Sequence, residues 1–185
     1  MLKRIFSIAA IALVCTLAAA QQDKSQRPSP PAQAQCKFAD GKTITVDYSS
    51  PRAKGRKILG GLVPWGQVWR TGANEATTFV TSGDLTVEGK DVPAASYTIF
   101  TVPLTADKWT LIINKHTGEW GIPYTYPSEE LVRVDMSATK TPAPVENFTI
   151  SFDQTGDSCT LQLSWENTIA SVKFGEKNTD APMKP

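Results

Sequence analysis

The chain has 185 residues, with 19 Lys and Arg against 18 Asp and Glu, and 41% of it is hydrophobic. Such a balance excludes the marked basic excess of a phosphate-tracking domain, so nucleic acid is not an expected partner. The length suits one ordinary domain with a sizeable core.

Lys3 and Arg4 precede an apolar run from Ile5 to Leu17, and Ala18-Ala19-Ala20 follows with small side chains. That order predicts a secretory signal peptide over residues 1–20, cleaved after Ala20. The run is shorter than the ~20 residues a spanning helix needs, so no membrane span is expected. Val14 stands where a lipoprotein signal wants a small residue before Cys15, which argues against a lipid anchor. Removing two of the 19 basic residues leaves 17 against 18 acidic ones, a formal charge of −1 on an exported, periplasmic or extracellular chain.

Residues 21–35 are Gln, Ser, Pro and Ala with scattered charges, too polar to offset their ordering entropy, and read as a flexible linker. The tail, 175–185, reads the same way as a disordered end. The domain is therefore expected over 36–174. Cleavage would leave two cysteines, Cys36 and Cys159. In an oxidising compartment they either bridge or stay as two buried thiols. A bridge would tie the first strand to a late one.

Inside the domain the period is two. Ile44, Val46 and Tyr48 alternate with polar neighbours, as do Leu85 and Val87, then Trp109, Leu111 and Ile113. Val132, Val134 and Met136 follow, then Phe148, Ile150 and Phe152, then Cys159, Leu161, Leu163 and Trp165, with Val172 and Phe174 last. Alternation of this kind gives strands with one buried and one wet face. Tyr97 to Val102 is apolar on both faces and belongs in a central strand. Turn chemistry separates the runs at Asp40-Gly41, Ser82-Gly83, Glu88-Gly89-Lys90 and Thr155-Gly156-Asp157. The fold class expected is all-β: one antiparallel β-sandwich or flattened barrel.

One stretch breaks the alternation. Ser49 to Ala76 is rich in Gly and Arg and holds Trp65 and Trp69. Long irregular segments in compact domains are usually functional or disordered, and these tryptophans favour order. An ordered excursion packed over one end of the sheet is expected.

The same stretch contains Ser50-Pro51-Arg52, Lys54-Gly55-Arg56, Gly61-Leu62-Val63-Pro64 and Trp69-Arg70-Thr71-Gly72-Ala73-Asn74-Glu75-Ala76-Thr77. Val92-Pro93-Ala94 before Tyr97-Thr98, and the span from Asn114-Lys115 to Trp120-Gly121, add to them. Together these resemble an exported bacterial family, domain of unknown function 2911, from about Cys36 to Phe174. The resemblance implies a location outside the cytoplasm and carries no activity. Ala95-Ser96 stands where related chains often have Ala-Gly, a turn variation.

Arg52, Arg56, Arg70, Asn74 and Glu75 are the candidate ligand-binding residues. Guanidinium groups offer a fixed fork of donors to a carboxylate, phosphate or sulfate, and Asn74 adds a donor and an acceptor. Trp65, Trp69 and Trp120 supply flat faces or core. The competing reading makes Arg70 and Glu75 a structural ion pair, with Arg52 and Arg56 as solvated loop charges. His116 is the single histidine, either a proton donor or an ordinary loop residue. Nothing has metal-ligand spacing, so no metal or other cofactor is expected. No nucleophile elbow or phosphate loop is present.

These features predict a non-catalytic module for a small polar or anionic molecule, carbohydrate included. Two alternatives stand beside it. One is an envelope structural or interaction protein. The other is a hydrolase or lyase with Glu75 as base, which requires Glu75 in a desolvated cleft with a raised pKa.

Overall fold

The computed structural model describes residues 23–177. The predicted signal peptide and most of the expected tail lie outside them. Nine strands form one antiparallel sheet: β1 (Pro31–Lys37), β2 (Thr43–Ser49), β3 (Thr77–Thr81), β4 (Leu85–Val87), β5 (Lys90–Val92), β6 (Ala95–Pro103), β7 (Lys108–Asn114), β8 (Glu130–Thr155) and β9 (Ser158–Glu176). Their order is β1-β2-β3-β6-β7-β8-β9-β4-β5. The two edges are not paired with each other, so the sheet is not a closed barrel.

The sheet nonetheless folds over on itself. Cys36 of β1 is bonded to Cys159 of β9, with Cα atoms 6.2 Å apart. The rings of Phe79 in β3 and Phe174 in β9 lie 5.2 Å apart. Ile150 N of β8 donates to the Tyr48 hydroxyl of β2 at 3.0 Å. None of these strand pairs are neighbours in the sheet, so the contacts cross between two layers. The alternating apolar residues of both layers form one core, with Ile44, Phe79, Ile99, Leu111, Leu161 and Phe174 fully buried.

β8 and β9 explain how one sheet makes two layers. The runs around Val132–Met136 and Phe148–Phe152 belong to the one strand β8, and those around Leu161 and Phe174 to the one strand β9. Pairing between them slips between Lys140 and Val145 and again before Thr149. Such irregularities bend and twist a strand, and here they separate the part of β8 paired with β7 from the part facing β1 and β2. The hairpin joining β8 and β9 turns on Gly156-Asp157, as expected, with Gly156 at φ 58°.

β6 lies centrally between β3 and β7, as its two-faced apolarity predicted. Ile99 faces the main core, while Phe100 and Val102 join Ile112 in a second cluster on the opposite face. Val68, Ala76 and Tyr124 cover that second cluster. The excursion and the β7–β8 loop are therefore held down by burial.

Two boundaries differ from expectation. Pro31–Gln35, read as linker, are strand, because β1 pairs residue for residue with β2 from Pro31↔Ser49 to Lys37↔Thr43. Backbone pairing satisfies a polar segment that has little apolar surface to bury. At the other end β9 continues through Gly175 and Glu176, paired with Thr86 and Leu85. β3 escaped the alternation because its inward residues at 77 and 81 are threonines, yet Thr77, Phe79 and Thr81 are all buried.

Candidate functional site

Between β2 and β3 the chain makes the expected excursion, ordered and packed without regular structure. Ala53, Ile58 and Val63 enter the main core. Arg52 bridges to Asn147 of β8, and Trp69 pairs with Thr101 of β6 through backbone bonds of 2.8 and 2.9 Å. Trp69 thus continues the edge that β3 begins, since β3 pairs with β6 only as far as Ile99. Its ring lies 4.9 Å from Phe148 and stacks on Trp165 at 5.8 Å.

The turn after Trp69 is built against its own sequence. Thr71 sits at φ 56°, a conformation costly for a β-branched residue. Its carbonyl accepts from Thr77 Oγ1 at 2.7 Å and its hydroxyl meets that of Thr101 at 3.2 Å, all buried. Gly72 next to it allows a close approach, since a Cβ there would lie tightly at 3.0 Å from Thr77 Oγ1 and 3.1 Å from Ser49 O. Gly121, at φ 86°, lets the β7–β8 loop press in, since its Cβ would meet Ala76 Cβ at 2.8 Å and Arg70 Cβ at 3.2 Å.

These elements enclose a cleft of about 400 Å³. Val63, Trp69, Gly72 and Trp165 lie deep in it, and Arg56, Leu62, Arg70 and Ile122 stand at its opening. None of its lining residues is acidic. Arg70 is half-buried, and burial lowers its pKa while the Glu75 charge raises it. Its Nη1 donates to Trp120 O at 3.3 Å, and the guanidinium lies 5.1 Å from the exposed Trp120 ring. Among the described residues no carboxylate forms a salt bridge with it.

The five predicted site residues do not converge on one concavity. Arg56 and Arg70 share the cleft. Arg56 also borders a smaller depression with Arg52 and Lys54, and Ser29 lines both it and the cleft. Both arginines of that depression brace the loop: Arg52 Nη1 donates to Ser50 O and Oγ at 2.9 and 2.8 Å, and Arg56 donates to Ala53 O and Arg52 O at 3.0 and 2.6 Å.

Asn74 and Glu75 turn to the N-terminal segment instead. Asn74 Nδ2 donates to Ser29 O at 3.0 Å. Arg27 Nη1 donates to both oxygens of Glu75, at 3.0 and 2.8 Å, and Lys24 Nζ lies 3.2 Å away. The anticipated pair of Arg70 with Glu75 is thus replaced by one with Arg27, from the stretch read as linker. Glu75 accepts from its own backbone N–H, and this bond, with Arg27 and Lys24, pulls its carboxyl down to about 2. That is opposite to the raised value a general base at this position requires.

The sign of this shift makes a prediction. A depressed carboxylate stabilises the fold above its unfolded value of 4.5, and the benefit fades as pH falls toward about 2. With Glu75 43% exposed, solvent screening holds the effect to about 0–1 kcal/mol. Glu75→Gln is expected to flatten the loss of stability between pH 4.5 and 2, measured by denaturant unfolding across that range.

His116 lies on the β7–β8 loop, where its ring stacks on Tyr126 at 3.5 Å. It does not line the cleft. Nearby, burial raises the pKa of the Glu119 carboxyl and the His116 charge lowers it. Among the described residues no group of three or more His, Cys, Asp and Glu could hold a metal ion. No described helix is long and apolar enough to cross a membrane. Nothing in the sequence marked Ile122, Gln67 or Trp165 as cleft residues, because they come from chain segments far apart in sequence from most of the excursion or look like plain core and loop.

Neither a curated protein nor a solved structure matches the chain. A family model does match, over residues 29–174 and so most of its length. The protein is a member of that family, described as protein of unknown function DUF2911.

Proposed function

We propose that the domain is a non-catalytic module that binds a small anion in the cleft beneath the excursion. The observation that supports it is a partly enclosed space of about 400 Å³ with two guanidinium groups and no carboxylate among its lining residues. Sites for small ligands are typically of this size, mostly apolar, with a few placed polar groups. Arg70 keeps its Nε and Nη2 unengaged, and Arg56 its Nη1, among the described residues. Such donors suit a carboxylate, phosphate or sulfate.

A neutral carbohydrate suits the cleft less well, because the deep side chains offer it no donor or acceptor. A hydrolase or lyase reading finds no support at Glu75, which is paired and held at about 2. We take the site of action to lie outside the cytoplasm. The signal-like N terminus and the Cys36–Cys159 bridge support this, since such bridges persist in oxidising compartments.

Charge-assisted hydrogen bonds contribute about 1.5–3 kcal/mol each. Arg70→Ala is therefore expected to weaken binding of octanoate about tenfold to a hundredfold, with the fold retained, as read by calorimetric titration and thermal unfolding. Arg56→Ala, on an exposed part of the loop, serves if Arg70→Ala does not fold. Anions and their neutral amides binding equally to both variants and to the unaltered protein would defeat the proposal.

A further inference from the structure

The cleft changes character with depth. Its cations stand at the opening, where Arg56 is exposed and Arg70 half-buried. Its floor holds Val63 and Trp165, 2% and 4% exposed, with Trp69 beside them. The two indole N–H groups of that floor are already used: Trp69 Nε1 donates to Gly72 O at 3.1 Å and Trp165 Nε1 to Glu146 O at 3.2 Å. Two backbone donors nearby are occupied as well, with Trp69 N bonded to Thr101 O and Ala73 N to Ser49 O. An ion that entered the floor would lose hydration and find no free side-chain donor there, a cost of several kcal/mol for a charge.

The opening carries the complementary feature. Leu62 and Ile122, which line the cleft with the arginines, are 49% and 43% exposed, so the cleft also offers apolar surface to water. Exposed apolar side chains that line a cleft, as these two do, offer surface that the apolar part of a ligand can cover. A compact inorganic ion cannot cover them. A molecule with an anionic head and an apolar body can.

We infer that the occupant is an amphiphile: an anion with one aliphatic or aromatic arm, bound arm inward with its head held at the opening by Arg56 and Arg70. The inference rests on the anion-binding reading above and specifies its ligand class. The head is a carboxylate or phosphate, and the arm is one that Val63, Trp69, Trp165 and Ile122 can enclose. Such a compound could be free in solution or could be a bilayer lipid, and the chemistry recognised is the same.

The test is a chain-length series of acetate, butyrate, hexanoate and octanoate, titrated by calorimetry against the folded protein, with octanamide as the uncharged control. Burial of a methylene contributes enough to raise affinity about two- to fourfold per CH₂ until the floor is filled. We expect that rise, a weak response to octanamide, and a shallower slope in Ile122→Ser, whose side chain is exposed enough for the variant to fold. Octanoate binding no more tightly than acetate would overturn the inference and leave anion binding standing. Failure of every anion would overturn both. Phosphatidylglycerol vesicles separate the sources: binding that octanoate competes away points to lipid taken from a bilayer, and vesicle binding indifferent to octanoate and to Arg70→Ala counts against the cleft.

Discussion

Replacing Cys36 and Cys159 together by alanine is expected to lower folding stability by about 4–5 kcal/mol, judged by loop entropy. The bridge spans 123 residues, so it confines the unfolded chain strongly. It also joins strands that share no ladder, β1 at one edge of the sheet and β9 near the other. For a domain of this size the loss corresponds to about 10–20 °C in Tm. Denaturant unfolding of the double variant against the oxidised protein measures it, and a difference below about 1 kcal/mol would show that the layers hold without the bridge. Both cysteines are buried, Cys159 completely, so reductant added to the folded protein is expected to act slowly and through opening of the layers. Alanine is the right replacement because it adds no unpartnered hydroxyl to the core.

Phe148→Ala is expected to cost about 3–5 kcal/mol, the usual range for deleting a buried aromatic ring. Phe148 is 1% exposed and meets Tyr48, Trp69 and Trp165 with ring centroids 5.7, 4.9 and 5.7 Å away. Its backbone also binds the excursion, with N donating to Pro51 O at 2.8 Å and O accepting from Ser50 Oγ at 2.7 Å. Phe148 therefore joins Glu146 and Asn147 of β8 in pinning the irregular segment to the sheet, and its ring sits against the two tryptophans of the cleft floor. Near-UV circular dichroism should change together with stability, because those indoles lose a fixed neighbour. Phe148→Leu keeps much of the volume and is expected to lose less of both signals. An unchanged near-UV spectrum in a destabilised Phe148→Ala would show that the floor is held independently of β8.

The strands were legible wherever a buried face is written in apolar residues. Ile44, Val46 and Tyr48 alternate because each faces the same core, and the two-faced β6 announced its central place. β3 was not legible, since threonine is equally at home on a wet face and at Thr77 and Thr81 it is buried. β1 was hidden for a different reason. Its residues Pro31 to Gln35 resemble a linker in composition, and only the ladder to β2 makes them strand.

The candidate site divides along the same line. That the stretch from Ser49 to Ala76 would be ordered, and would carry exposed guanidinium groups, follows from local composition. Which charges meet does not. Arg70 and Glu75 are five positions apart, yet Glu75 pairs with Arg27, 48 positions away. Among the described residues Arg70 is thereby left without a carboxylate in a salt bridge, at the edge of a cleft that no local pattern announced.

Local periodicity expresses how each residue divides between core and water, so the all-β class, most strands and the turns were written in the chain itself. Family membership likewise followed from its linear motifs. Layer pairing, the cysteine bridge and the cleft depend on distances between residues far apart in sequence. Those distances are set by how β8 and β9 bend, through slips in their pairing near Val145 and Thr149. A slip is a relation between two strands. It leaves no period in either one, and only the folded molecule decides it.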